Sequence, residues 1–274
     1  MSNSKIVGTW QGKRHDYEDQ EKSTIKFLVE ELKKLNGTCN VVGVKQSFED
    51  EGALLSDVLT MRRITELSNL LMYVKIGGCE AVTDINNCAG MGIDYIIPPM
   101  IETLYAFKKF ASAVKNIKGT KYYFLCETQT AYNNLEHILN SKEASILEGI
   151  IVGRSDFTKS HGLDKSEVNS ELISSKVEKI FEFSKSKGLK TTMGGNISIE
   201  SSEFIKKLFS KNLLDKIETR NMVVELADEN VQNLEKTIKD VISYEIEWLT
   251  FKAINHSSIG DSYLERANLL QDRI

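Results

Sequence analysis

The chain has 274 residues, with 35 Lys and Arg against 39 Asp and Glu and a formal charge of -4. That balance excludes the broad basic face of a nucleic-acid binder, while a pocket for a small anion needs only a few local cations. No apolar run reaches the ~18 residues of a membrane helix, and the polar start Met1-Ser2-Asn3-Ser4-Lys5 carries no signal-peptide core, so a cytoplasmic protein without membrane contact is expected.

Residues 1–36 read as a polar arm followed by a helix. Ile25, Leu28, Val29 and Leu32 recur at helical spacing, and Gly37 is expected to stop the helix. Short β-branched runs then alternate with longer amphipathic stretches. Strands are predicted at Asn40–Val44, Met72–Ile76, Tyr95–Pro98, Tyr122–Cys126, Gly149–Val152, Lys190–Met193 and Lys216–Thr219. An eighth falls near Met222–Leu226 or in the N-terminal arm. Helices are predicted at Leu54–Leu70, Ala81–Ala89, Leu104–Lys115, Ala131–Leu139, Ser166–Lys187 and Ile199–Lys211. A helical C-terminal segment fills about 229–274. Units of roughly 25–35 residues argue for parallel strands wrapped by helices. The expected fold is one α/β domain, a (β/α)8 TIM-type barrel with an N-terminal helix and a long C-terminal helical extension. A doubly wound open sheet is the second choice, disfavoured because no G-x-G-x-x-G follows a strand.

A parallel barrel does its chemistry at the C-terminal ends of its strands. The first strand runs out into Lys45, Glu49 and Glu51, which are either site residues or the acidic start of a helix. The second ends in Lys75, an expensive residue inside an apolar strand, followed by Gly77-Gly78, whose amides suit an anion. The third ends in Pro98-Pro99, the only two prolines, with Glu102 beyond them and Thr103 as a helix cap. Glu127 and Asp156 follow the fourth and fifth strands. Adjacent strand ends let two such carboxylates share one Mg²⁺ or Mn²⁺ ion, unless both merely cap helices. Arg220, after the seventh strand, is placed either to clamp an anion or to bridge Glu218 or Glu225. The four cysteines form no Cys-x-x-Cys pair and the four histidines have no zinc spacing, so the thiols are read as reduced and mostly as small core residues.

The order of these segments resembles the metal-dependent HpcH/HpaI aldolase / citrate lyase superfamily. The resemblance rests on Lys75-Ile76-Gly77-Gly78-Cys79-Glu80-Ala81 and on Gly92-Ile93-Asp94-Tyr95-Ile96-Ile97-Pro98-Pro99-Met100-Ile101-Glu102. Glu127-Thr128 with Asn133 to Ile138 continues it, and so does the run Gly149 to Thr158 with Ser160 and Gly162. It covers about residues 40–165. It implies an oligomeric barrel with Glu127 and Asp156 as metal ligands, which cleaves or forms a C–C bond next to a 2-oxo acid or an acyl-CoA. A lysine, Lys75, stands where the family usually has an arginine. The acidic segment Phe48 to Gly52 lacks the histidine of the pyruvate-aldolase branch and looks closer to the citrate-lyase branch.

The leading expectation is a divalent-metal-dependent lyase or aldolase acting through an enolate of a pyruvate-like 2-oxo acid, with an aldehyde or acyl-CoA as second substrate. Lys75, with Arg154 in reserve, anchors the carboxylate, and Glu49 or Glu51 accepts the proton. Lys45, Gly77, Gly78, Glu102 and Arg220 complete the substrate site. Two alternatives stand beside it: a Schiff-base aldolase using Lys75 or Lys45, and a non-catalytic small-acid binder on the same scaffold.

Overall fold

A computed structural model describes residues 14–48, 51–256 and 260–274. In chain order, the elements are α1 (Arg14–Cys39), β1 (Val41–Ser47), α2 (Leu55–Ser68), β2 (Leu71–Lys75), α3 (Val82–Gly90), β3 (Tyr95–Ile97), α4 (Leu104–Val114) and β4 (Lys121–Cys126). Then come α5 (Gln129–Asn133), α6 (Leu135–Leu139), β5 (Leu147–Gly153), α7 (Arg154–Ser160), α8 (Glu171–Ser186), β6 (Lys190–Gly194) and α9 (Ser202–Ser210). The chain ends with β7 (Lys216–Glu218), β8 (Met222–Glu225), α10 (Asp228–Gln232), α11 (Leu234–Asn255) and α12 (Gly260–Gln271). Among the described residues no helix is long and apolar enough to cross a membrane.

The eight strands close into a barrel in sequence order. β1 to β7 run parallel, as expected. The eighth departs from the expected all-parallel repeat. It lies at Met222–Glu225 but runs antiparallel to both β7 and β1. Only Thr219, Arg220 and Asn221 separate β7 from β8, too few for the crossover that a parallel neighbour requires. The chain therefore turns at the top of the barrel and exits at the bottom. α10 and α11 follow, and 22 residues of α11 span roughly 33 Å, long enough to climb back to the top.

Two other local expectations shift. α1 does not stop at Gly37 but runs to Cys39, where Asn40 takes the left-handed conformation at φ 56° and donates its side-chain amide to Glu225 O at 2.9 Å. α7 begins immediately after β5, between the helices predicted at Ala131–Leu139 and Ser166–Lys187, where none was expected. The predicted cap is present: Thr103 Oγ1 accepts from Ala106 N at 3.1 Å. All four cysteines are free, and Cys39, Cys88 and Cys126 are buried.

Strand periodicity builds two cores. Outward residues such as Val44, Met72, Val74, Ile96, Phe124 and Ile150 pack under the helices. Inward residues form a second cluster around Tyr73, Tyr95 and Tyr123. The Tyr73 and Tyr95 rings stack at 4.3 Å, and Tyr123 tilts against Tyr95 at 5.5 Å. Glycines on neighbouring strands make room for these rings. A Cβ on Gly43 would lie 2.6 Å from Tyr73 Cε2, and one on Gly149 would lie 2.5 Å from Tyr123 Cε1 and 2.4 Å from Lys190 O.

Because the obstacle at Gly149 is partly the backbone of β6, it cannot swing aside. Gly149→Ala is expected to lower stability by about 2 kcal/mol, read from the urea unfolding midpoint. A change within experimental scatter would contradict this packing.

Candidate active site

The same periodicity carries charge to the mouth. Two residues above an inward tyrosine or glycine, a strand again points inward. Lys45 stands above Gly43, Lys75 above Tyr73, Glu127 two steps above Tyr123, and Glu218 above Lys216. All four upper residues line a cavity of about 190 Å³ together with Glu51, Asp156 and Arg220.

Lys75 and Glu127 form its most enclosed pair. Lys75 Nζ lies 3.1 Å from Glu127 Oε2, with the side chains 12% and 3% exposed. Glu127 Oε1 accepts from Met100 N at 3.1 Å. Pro98 and Pro99 have no amide hydrogen, so Met100, held at φ 51°, offers the first one after β3. Burial raises the Glu127 pKa above the ordinary carboxylate value; Lys75 and the Met100 amide oppose the rise, and the charge of Asp156 adds to it. Gly153 lets β5 come this close, since a Cβ there would sit 3.2 Å from Glu127 Cβ.

Asp156 occupies the first turn of α7, 3.6 Å from Lys159 Nζ and partly open to solvent. Gly195, at φ 77°, presses its backbone onto the start of that helix. A Cβ there would lie 2.4 Å from both Arg154 N and Ser155 N.

On the other side, Lys45 Nζ meets Glu218 Oε1 at 2.5 Å, and Glu218 Oε2 is buried without a hydrogen-bond partner. Glu51 accepts from Asn221 Nδ2 at 3.1 and 3.2 Å and lies 3.8 Å from Arg220 Nη1. Burial raises the Glu51 pKa, and the charge of Arg220 opposes it.

Other expected site residues do other work. Arg154 is fully buried, with its guanidinium bonded to Gly194 O, Asn169 Oδ1 and Ser201 Oγ, so it is no reserve for Lys75. Burial pushes its pKa down to about 9. The Gly77 amide donates to Asp84 Oδ2 at 2.8 Å, so the helix supplies its own anion, and neither Gly77 nor Gly78 lines the cavity. Glu102 also lies off the cavity, and its carbonyl accepts from Asn134 Nδ2. Glu49 lies outside the described residues. Arg220 pairs with Glu51 rather than Glu218 or Glu225. The cavity wall also includes Lys159, Lys165, Glu218 and Arg273, which sequence reasoning did not select. Glu218 carried a usable signal, its inward parity with Lys216; Lys165 and Arg273 carried none.

Among the described residues, no group of three or more His, Cys, Asp or Glu side chains forms a ready metal cage. Glu127 and Asp156 still fit a hard divalent ion. They are two interacting carboxylates facing one polar cavity, the usual protein share for Mg²⁺ or Mn²⁺ when water and substrate complete the shell.

No protein-family model matches the chain, and no curated protein matches it in sequence. Solved structures do share its fold. The citrate synthase variant SbnG aligns with a TM-score of 0.52 at 16% identity, over 73% of this chain and 82% of its own. RipC from Yersinia pestis gives 0.50 at 14%, over 71% and 87%. An HpcH/HpaI aldolase from Desulfitobacterium hafniense DCB-2 gives 0.56 at 9%, over 76% and 86%. At such identities the shared property is the barrel.

Removing Lys75 would leave the Glu127 carboxylate buried without its cation. Lys75→Met is expected to cost about 3 kcal/mol near pH 8. The variant's Glu127 pKa rises further above its unfolded value, so stability falls as pH rises through that folded pKa. The cost therefore shrinks as pH is lowered toward the ordinary carboxylate range, and Glu127→Gln added to Lys75→Met restores most of it at pH 8. Urea unfolding at several pH values checks both statements.

Proposed function

We propose that this chain is a carbon–carbon lyase or aldolase of the HpcH/HpaI aldolase / citrate lyase type. It would act on a 2-oxo acid, with a divalent ion, Mg²⁺ or Mn²⁺, held by Glu127 and Asp156. The observation that carries this reading is the buried Lys75–Glu127 pair beside Asp156, at the strand ends of a barrel shared with an HpcH/HpaI aldolase. When bound, such an ion supplies Lewis-acid polarisation of a carbonyl oxygen.

The rest of the chemistry falls to the chain. The cavity wall holds six cations (Lys45, Lys75, Lys159, Lys165, Arg220 and Arg273) against four carboxylates (Glu51, Glu127, Asp156 and Glu218), which favours an anionic substrate. Lys75 brings a positive charge into a largely buried wall, where it stabilises an enolate oxygen more strongly than it would in water. Glu51 is the proton acceptor: its carboxylate is nearly buried, is oriented by Asn221, and is held by burial above the ordinary carboxylate pKa, which makes it a stronger base than a solvated carboxylate. The proton leaves the carbon next to the carbonyl for a Glu51 oxygen as the enolate forms. A Schiff-base route is less well supported, because the ammonium groups of both Lys45 and Lys75 are tied to buried carboxylates and offer no free lone pair to a carbonyl carbon.

The test is hydrogen–deuterium exchange of the pyruvate methyl group followed by NMR. Exchange is expected with Mn²⁺ or Mg²⁺, lost with EDTA, and lowered at least about 100-fold in Glu51→Gln, Glu127→Gln and Asp156→Asn. Its rate should rise with pH through an apparent pKa above the ordinary carboxylate value, because the raised Glu51 must be ionised to act. Exchange that survives EDTA would transfer the reading to a lysine Schiff base. Binding of pyruvate without exchange would mark a non-catalytic acid-binding protein.

A further inference from the structure

Three of the cavity's cations, Lys165, Arg220 and Arg273, come from elements far apart in the chain. Lys165 follows α7, Arg220 sits in the turn between β7 and β8, and Arg273 lies just past α12. The C-terminal end is held over the mouth. Lys252 and His256 grip Asp57 at 3.2 and 2.6 Å, Arg266 Nη1 donates to Glu51 O at 2.6 Å, and Arg273 N donates to Leu270 O at 3.0 Å. Arg273 is thus placed by fixed contacts.

These three charges are only partly offset from within. Among the described residues, neither Lys165 nor Arg273 has a side-chain ion pair, and Arg220 has only the 3.8 Å approach to Glu51, with its Nη1 buried and without a hydrogen-bond partner. They lie close enough to disfavour one another. Burial, then Arg273, Lys159 and Arg220, lower the Lys165 pKa, while Asp156 acts in the opposite sense. Burial also lowers that of Arg273; Glu245 opposes this and Arg220 reinforces it. Holding like charges together at a cavity wall costs free energy that a bound anion offsets. Lys75 and Lys45, by contrast, are already matched to Glu127 and Glu218.

We propose that Lys165, Arg220 and Arg273 form a second anion subsite. It would take the distal carboxylate or phosphate-type group of a 2-oxo acid whose reacting end lies at Lys75 and Glu127. This rests on the proposed reaction for the identity of the near end, but the subsite itself is defined by the three cations. Two guanidinium groups suit the paired oxygens of a carboxylate or of a phosphate-type group, either of which accepts two parallel N–H donors. The small cavity admits a short dianionic acid.

Isothermal titration calorimetry in Mg²⁺ would compare pyruvate with 2-oxoglutarate, 2-oxoadipate and phosphonopyruvate. At least one dianion is expected to bind about 10-fold or more tightly than pyruvate. The best probe separates a carboxylate from a phosphate-type preference. The ratio of its affinity to that of pyruvate should fall toward one in Arg273→Gln, and also in Lys165→Gln, an exposed rim position outside the packed core. Equal affinities in the wild-type protein, a ratio preserved in both variants, or no binding of any of the acids would overturn the subsite. A dianion preference in a protein that exchanges no methyl protons would leave the subsite standing and remove the enolate chemistry. Exchange without that preference would do the reverse.

Discussion

The reversal of β8 is the constraint on which the rest of this molecule turns. Seven parallel strands leave a gap that the eighth fills from the opposite direction, after a turn of only three residues. That turn needs support, and Glu245 of α11 provides it. Its Oε1 accepts from Thr219 Oγ1 and Asn221 N at 2.5 Å and from Met222 N at 3.2 Å. A buried carboxylate alone would be costly, and burial does raise its pKa; the three donors offset much of that penalty. The contact also joins the last barrel helix to the site, because Arg220 and Asn221 lie in the supported turn and Asn221 orients Glu51. Since β8 exits at the bottom, α11 has to return upward, and only then can α12 bring Arg266 and Arg273 to the mouth.

Inside the barrel, one face of each strand meets two environments. Low in the barrel, three tyrosines fill space left by glycines; higher up, the same face carries lysines and glutamates. Buried ion pairs are seldom the most stable filling for such a space, since well-packed apolar side chains serve as well or better. Two such pairs in one mouth, Lys45–Glu218 and Lys75–Glu127, are therefore better explained by use than by stability. The glycines beside them carry the same message. A Cβ on Gly194 would lie 2.7 Å from Glu218 Cγ, and Gly153 is similarly close to Glu127. Both strands forgo a side chain so that the carboxylates can pack against them.

Much of this was legible in the chain because it depends on local pattern. Short apolar, β-branched runs located seven strands and left the eighth open between Met222–Leu226 and the N-terminal arm, and polar residues at or just past the strand ends picked out Lys45, Lys75, Glu127, Asp156 and Arg220 at the cavity. The failures share a cause. Gly77-Gly78 looked like an anion cradle until Asp84, one turn into α3, filled it, and Arg154 looked free until Asn169 and Ser201 closed on it. In each case the partner was identifiable only from the folded geometry. The direction of β8 follows from a three-residue connection, yet a strand four residues long offers little periodicity to separate a hairpin from an extension of β7. Lys165 and Arg273 lie in segments with no strand-end signal, and only the path of the C-terminal helices brings them together.

The lysine at position 75 ties these observations into one argument. An arginine at that strand position would present a planar fork to a carboxylate. A lysine keeps the charge and gives up the fork. Here its ammonium is bound to Glu127, which suits a point charge opposite a single developing oxygen anion better than two-point recognition of a carboxylate. The guanidinium groups at the cavity belong instead to Arg220 and Arg273, while that of Arg154 is spent on the scaffold. On the proposed reading, charge stabilisation and carboxylate recognition are divided between two ends of the site, the first on β2 and β4 and the second on the turn that β8 makes necessary and the C-terminal segment that its reversal carries to the mouth.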